Sequence, residues 1–359
     1  MQTQSKFRLL VVRLGAMGDI LHALPAVTAL RMAHPEWVID WVVEPSWRAL
    51  LAAEESTGRD TGTPASRQPL VDVLHFASTK EWRQNLFAAQ TRTEIRTLRL
   101  ALLAGRYNAV LDLQGAIRSA MVSRMAGCKR VIGESKPREW AARWLFTEQV
   151  KTRAAHVIEQ GVELASAVAG DRLASVEPWL PVDSEAESWA DGILPLPAGV
   201  QAVLINPGAG WGAKRWPVEQ YAIVARTLLN RGFRVFVNAG PGEALLSNSV
   251  VQSTGGGATP LLCSLQQLIA ITRRVALVIA GDTGPLHLAC ALGRRVVGIY
   301  GPTDPGRNGP FGTHFRVLRS PESRRDHSRR EAPEAGLLTI TPEDVLRAAD
   351  ELLYPEAAL

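Results

Sequence analysis

The chain has 359 residues, 46% of them hydrophobic and 21% charged. That composition excludes a disordered or fibrous polymer, and the length exceeds one ordinary hydrophobic core, so two domains are expected. A formal charge of +5 favours an anionic partner without choosing among nucleotide, phosphorylated lipid, membrane surface and nucleic acid, and the cysteines Cys128, Cys263 and Cys290 are too scattered for a disulfide framework or a metal site.

Phe7 to Arg13 is a continuous apolar run of the kind that fills a buried parallel strand. Leu14-Gly15-Ala16-Met17-Gly18-Asp19 follows as a glycine turn, and Ile20 to Met32 carries apolar residues at helical spacing. Gly15 and Gly18 lack the third glycine of a dinucleotide fingerprint, which argues against a nicotinamide site. Asp19 has two readings at this level: a cap for the helix from Ile20, or a functional acid at a strand's carboxyl end, where open α/β sheets bind ligands.

Val38 to Val43 is a second strand. Glu54 to Pro69, rich in Gly, Ser, Thr and Pro, reads as a loop, and Val71 to Phe76 is again extended. Lys80 to Arg106 is helix-prone and carries Arg83, Arg92, Arg96 and Arg99, either a solvated face or a receiver of phosphate or carboxylate groups. Tyr107 to Leu113 is a strand turning at Gln114-Gly115 into a helix, which sets Gln114 and Arg118 at the same edge as Asp19. Lys136 and Arg138 follow the short strand Arg130 to Ile132, and His156 stands at the start of the helix Val157 to Val168, as a helix-end residue or a ligand contact.

Prolines at 178, 181, 195 and 197 punctuate a stretch with one short helix, Ser184 to Gly192, so a linker is expected over 181–199 between domains 1–180 and 200–359. Val200 to Ile205 opens the second sheet, and Lys214 and Arg215 lie in the loop ahead of the helix Val218 to Asn230, where they can meet an anionic leaving group. Arg234 to Asn238, Val275 to Ala280 and Arg295 to Tyr300 are further strands. The middle one ends in Gly281-Asp282-Thr283-Gly284-Pro285-Leu286-His287, a strand-turn-helix junction suited to phosphate. Arg319 to Glu331 is a charged loop or surface strip, and Pro342 to Leu353 a final amphipathic helix. The alternation predicts two doubly wound α/β domains.

Six stretches taken together resemble the heptosyltransferase family of lipopolysaccharide core synthesis, glycosyltransferase family 9. They are Arg13-Leu14-Gly15-Ala16-Met17-Gly18-Asp19-Ile20-Leu21-His22, Asp40-Trp41-Val42-Val43-Glu44, Asp112-Leu113-Gln114-Gly115, Lys214-Arg215-Trp216-Pro217, Gly281 to His287, and Tyr300-Gly301-Pro302-Thr303-Asp304-Pro305. The resemblance implies a GT-B fold of two Rossmann-like domains facing a central cleft, the first binding acceptor and the second a nucleotide-sugar donor, with a last helix able to pack back on the first domain. It further implies an inverting, metal-independent transfer from ADP-heptose to a lipid A core, without a cofactor, in the cytoplasm or on the cytoplasmic face of the inner membrane. Asp19 becomes the expected general base. Lys214, Asp282, Thr283, Gly284 and His287 become donor contacts, and Gly15, Gln114, Arg118 and Arg138 acceptor contacts.

The Trp-Val-Val-Glu and Gly-Pro-Thr-Asp-Pro-Gly stretches are more similar to the first heptosyltransferase type, which acts on the Kdo sugar, than to the second, which acts on the first heptose. The alternatives are that second type, a nucleotide-sugar epimerase of the same fold, and a non-catalytic nucleotide-sugar binding module. No nucleic-acid motif accompanies the basic charge.

Overall fold

Leu9, Leu10, Val11 and Val12 are fully buried, as are Val203, Leu204 and Ile205 and Leu277 through Ala280. Strands apolar on both faces have to be covered on both faces, and the chain does this with helices around two parallel sheets. The computed structural model describes residues 6–53, 69–85, 87–194, 197, 199–326 and 330–355. Most of the Glu54 to Pro69 loop, Pro195, and residues 327–329 of the charged strip lie outside the described residues.

The chain forms two compact units, Met1–Pro181 and Val182–Leu359. In the first, the elements in order are β1 (Arg8–Val12), α1 (Met17–Ala33), β2 (Val38–Val43), β3 (Val73–Phe76), α2 (Thr79–Gln84), α3 (Ala89–Ala104), β4 (Ala109–Asp112), α4 (Ile117–Met125), β5 (Val131–Glu134), β6 (Glu148–Val150) and α5 (Val157–Ala169). Short 3₁₀ helices at Pro45–Leu50 and Trp140–Leu145 link them. The sheet order is β3-β2-β1-β4-β5-β6, and every pairing is parallel.

The second unit runs α6 (Ser184–Ile193), β7 (Ala202–Asn206), α7 (Val218–Asn230), β8 (Arg234–Asn238), α8 (Ala244–Ser253), β9 (Thr259–Leu261), α9 (Leu265–Thr272), β10 (Leu277–Gly281), α10 (Gly284–Ala291), β11 (Arg295–Tyr300), α11 (Pro305–Asn308), β12 (Phe315–Arg319) and α12 (Pro342–Leu353). Its order, β12-β11-β10-β7-β8-β9, is the same arrangement read from the other edge, again all parallel. In each sheet the strand order reverses once, between β1 and β4 and between β7 and β10, and such a reversal opens a crevice at the strands' carboxyl ends.

Several elements differ from the sequence expectation or add to it. The helix-prone stretch Lys80 to Arg106 is two helices, tied together by the Trp82 indole N–H donating to Glu94 Oε2 at 2.8 Å. Within the stretch expected as a linker, Asp183 caps α6 by accepting the Ala186 amide at 3.0 Å. Glu187 of α6 pairs with Arg273 and Arg274 at the end of α9, and Asp191 pairs with Arg274 at 2.7 Å. Helix α12, with Val345, Ala349 and Leu352 buried, packs on α7 and the second sheet. In the charged strip Ser320 and Ser323 are buried, and the Arg319 guanidinium donates to Ser323 O at 2.7 Å.

Candidate active site

At the first reversal the chain leaves β1 through Arg13 to Ala16 and enters α1 at Met17. The helix thus begins earlier than its apolar spacing predicts, and Asp19 sits inside the first turn rather than ahead of it. Asp19 Oδ2 accepts the Ala16 amide at 3.2 Å. Its Oδ1 lies 2.9 Å from Arg13 Nη2, and Arg138 Nη1 is 3.8 Å from Oδ2. The side chain keeps 29% of its surface exposed, so this carboxylate is oriented by an amide and two guanidinium groups and still open to a reactant. Arg13, to which the sequence reading gave no role, also donates to Leu113 O and so fixes the carboxylate to the neighbouring turn.

That turn, after β4, is built around a buried acid. Asp112 Oδ1 accepts the amides of Gln114 and Gly115, each at 2.8 Å, and the Ser119 hydroxyl at 3.1 Å, while Oδ2 accepts Ser123 Oγ at 3.3 Å. Burial pushes its carboxyl up, and the hydrogen bonds and the Arg13 charge oppose that push without cancelling it. Gln114, expected at an acceptor, is buried and spends its carboxamide oxygen on the Leu14 amide at 2.8 Å, joining the two turns of the reversal. Gly115 has a φ of +64°, and a Cβ there would stand 3.1 Å from the Arg138 amide. Gly15 is overlain by Trp47, whose Nε1 would lie 2.7 Å from a Cβ at that position. The Trp47 Nε1 is buried with no hydrogen-bond partner among the described residues. Arg118 is exposed on α4. His156 takes the helix-end role, its Nδ1 accepting the Ile158 amide at 3.2 Å.

The second reversal holds the other charged cluster. Asn206 at the end of β7 accepts from Asn238 Nδ2 at 2.6 Å and donates to Gly208 O at 3.2 Å, which shapes the loop leading to Lys214. Lys214 Nζ lies 2.5 Å from Asp282 Oδ2 and 5.2 Å from the centre of the Trp211 ring. His287 Nε2 lies 3.1 Å from Asp282 Oδ1, an i, i+5 contact made possible because Asp282 precedes α10 and His287 ends its first turn. Burial alone would raise the Asp282 carboxyl. The His287 imidazole and the Lys214 ammonium outweigh burial and hold it well below the usual carboxylate range.

Thr283 occupies the cap position of α10 but turns its hydroxyl back to Gly281 O at 3.2 Å, so its side chain does not close the amide end of the helix. Gly284 is the first helical residue and lets an anion approach those amides without a side chain in the way. Lys214, Asp282, Thr283, Gly284 and His287 are thus gathered by one loop and one turn. A lysine beside a helix amide end, at a sheet reversal, stabilises a developing phosphate charge. An oriented, half-open carboxylate such as Asp19 can accept a proton.

The sequence pattern of glycosyltransferase family 9 (heptosyltransferase) matches residues 95–337. The lipopolysaccharide heptosyltransferase 1 of Escherichia coli K12 is 30% identical over 325 residues, covering 88% of this chain and 94% of that protein. Among solved structures, the E. coli heptosyltransferase WaaC with ADP matches with a TM-score of 0.77 at 25% identity, over 96% of this chain and 100% of that one. The same enzyme with ADP-2-deoxy-2-fluoro heptose matches with a TM-score of 0.74 at 25% identity, over 96% and 99%. The two parallel sheets are accordingly those of a GT-B fold. By sequence pattern, relatives and architecture, this chain belongs to glycosyltransferase family 9, the heptosyltransferases.

Proposed function

We propose that the protein is an inverting, metal-independent heptosyltransferase that moves heptose from ADP-heptose to the Kdo sugar of the lipid A inner core. It would work in the cytoplasm and peripherally on the cytoplasmic face of the inner membrane. The observation that carries this reading is the division of chemistry between the two sheet reversals. Asp19 supplies a half-open carboxylate flanked by Arg13 and Arg138. The second reversal supplies Lys214 and the amide end of α10. The relative at 30% identity bears the name lipopolysaccharide heptosyltransferase 1, and the similar E. coli heptosyltransferase WaaC is solved with ADP-2-deoxy-2-fluoro heptose, which favours that donor. Among the described residues no helix is long and apolar enough to cross a membrane.

In this mechanism Asp19 takes the proton of an acceptor hydroxyl while the hydroxyl oxygen attacks the heptose anomeric carbon. The bond from that carbon to the diphosphate oxygen breaks, the electron pair leaves on ADP, and one displacement inverts the centre. Lys214 and the Thr283 and Gly284 amides offset the charge that grows on the leaving diphosphate. Asp282 and His287 set the position of Lys214. Arg118, Arg138, Gly15 and Gln114 shape the acceptor side.

The test is incubation with ADP-heptose and a panel of truncated lipid A cores, with product masses read by mass spectrometry. Transfer to Kdo-terminated acceptors is expected. Transfer confined to heptose-terminated acceptors would move the protein to the second type, free sugar released without acceptor would indicate an epimerase, and ADP binding without turnover would indicate a binding module. Asp19→Asn keeps an oxygen for the Ala16 amide and removes the base, so kcat should fall about 10²- to 10⁴-fold with ADP affinity preserved. A variant that keeps more than about a tenth of the rate contradicts the assignment of Asp19 as base.

A further inference from the structure

The first unit exposes an aromatic surface with a basic border, and its apolar residues take no part in either reversal. Trp140 and Trp144 sit on the short 3₁₀ helix Trp140–Leu145 with 59% and 68% of their surface exposed, their rings 4.6 Å apart edge to face. The Arg143 guanidinium lies 5.6 Å from the Trp140 ring centre. Beside them, α4 turns Ile117 and Met121 outward at 42% and 54% exposure, one turn apart on the same stripe. The two elements are pinned: Glu139, the residue before Trp140, accepts the Ile117 amide at 2.8 Å and donates its own amide to Gly115 O at 2.9 Å. Two tryptophans, an isoleucine and a methionine held outward by a fixed backbone form a contiguous apolar patch rather than scattered exposed residues.

The charge around the patch is predominantly positive. Lys136, Arg138, Arg118 and Arg124 are exposed about it, against one exposed carboxylate, Glu139, whose Oε2 accepts the Ile117 amide. Indole rings flanked by arginine and lysine are the chemistry of the headgroup level of a bilayer, where the ring's apolar body and N–H both find partners and cationic side chains meet anionic lipid. Arg138 connects this patch to the reactive edge, since it stands 3.8 Å from Asp19.

We infer that the surface formed by Trp140, Trp144, Ile117 and Met121 docks on an anionic lipid surface at headgroup depth. The inference rests on the proposed function for its purpose, a lipid-borne acceptor sugar delivered beside Asp19, but its binding test is independent of turnover. Docking by one face orients the first unit so that an acceptor projecting from the bilayer approaches the β1 and β4 turns. The tryptophans set depth and the arginines favour a negatively charged leaflet.

The test is co-sedimentation of the full chain with vesicles of phosphatidylethanolamine and phosphatidylglycerol, and with phosphatidylcholine alone. Turnover is followed in parallel on a delipidated, water-soluble core acceptor. The wild type should bind the anionic vesicles and lose binding at high salt. Trp140→Ala/Trp144→Ala should weaken partitioning about tenfold or more, and Arg124→Glu roughly fivefold for each unit of charge lost, with turnover on the soluble acceptor unchanged in both. Quenching of tryptophan fluorescence by lipids brominated near the headgroup should disappear with the double variant. Equal vesicle binding by wild type and double variant, or no binding by wild type, overturns the inference. So does a concentration-dependent self-association or binding to a protein partner that the double variant abolishes while vesicle binding is absent. Vesicle binding without any transfer would instead count against the proposed function and leave the docking surface standing.

Discussion

Replacing Lys214 by methionine keeps the length and apolar stem of the side chain and removes its charge. In the wild type, Lys214 Nζ is 2.5 Å from Asp282 Oδ2, and the two side chains are only 15% and 7% exposed. Solvent therefore screens the pair weakly. Removing one partner of such a pair leaves a buried carboxylate under-compensated, which costs about 3–5 kcal/mol when nothing else holds it. Here the His287 imidazole remains 3.1 Å from the other oxygen, so about 2–3 kcal/mol is expected.

The pH dependence carries a sign that separates this from simple loss of packing. The folded Asp282 carboxyl titrates below its unfolded value, so its contribution is fully present above about pH 4. It is lost as pH falls through the folded value. In Lys214→Met the carboxyl is less depressed and has less to lose. The stability gap between wild type and variant should stay constant from pH 7 to about pH 5 and narrow below about pH 4. Urea unfolding followed by circular dichroism gives the gap, with hydrogen–deuterium exchange of the β10 peptide identifying the transition of the second unit. A gap under about 1 kcal/mol at neutral pH, or one that does not narrow on acidification, would refute the reasoning.

Asp112→Ala removes the acceptor for two amides and two hydroxyls and should cost about 2–4 kcal/mol. Asp112→Asn retains Oδ1 and should cost about 1 kcal/mol or less at neutral pH. Because burial raises the folded carboxyl, the stability attached to its proton is complete below about pH 4 and is lost as pH rises. The asparagine variant should therefore compare best with wild type at neutral pH and worse toward pH 4, as read from urea midpoints. Burial pushes the Cys263 thiol up to about 11 and Cys290 to about 12. Neither should react with a disulfide reagent at pH 8 in the native protein, and both should react after unfolding. Fast native labelling at either position, located by peptide mass, contradicts that burial.

The sequence made the central strands legible because a parallel strand covered on both faces leaves a continuous apolar run, as at Leu9 to Val12 and Val278 to Ala280. It made the junction at Gly281 to His287 legible because a glycine and an acid between a strand and a helix have few uses. The edge strands β6, β9 and β12 were hidden, since Glu148-Gln149-Val150 and Thr259-Pro260-Leu261 are short and β12 is only half covered. The break between α2 and α3 was also hidden: local composition favours helix throughout, and a tertiary bond from Trp82 to Glu94 joins two helices where spacing suggests one. At the reactive edge, Asp19 was visible as an acid on a turn, while its Arg13 partner was not. That pairing depends on a guanidinium also anchored at Leu113, a hundred residues away. Gln114 shows the converse, a polar residue at the same edge whose oxygen serves the Leu14 amide, a role its sequence position does not disclose. Only the folded chain separates a side chain facing a ligand from one that ties two turns together.

The repeated strand order has a consequence for how this protein can change. Each half closes its own reversal with its own hydrogen bonds, Gln114 to Leu14 in one and Asn238 to Asn206 in the other. A substitution that reshapes one crevice leaves the scaffold of the other intact. Under the proposed function, preference for what is given and preference for what receives it would thereby be written in separate stretches of chain. One can drift under selection while the other is held fixed.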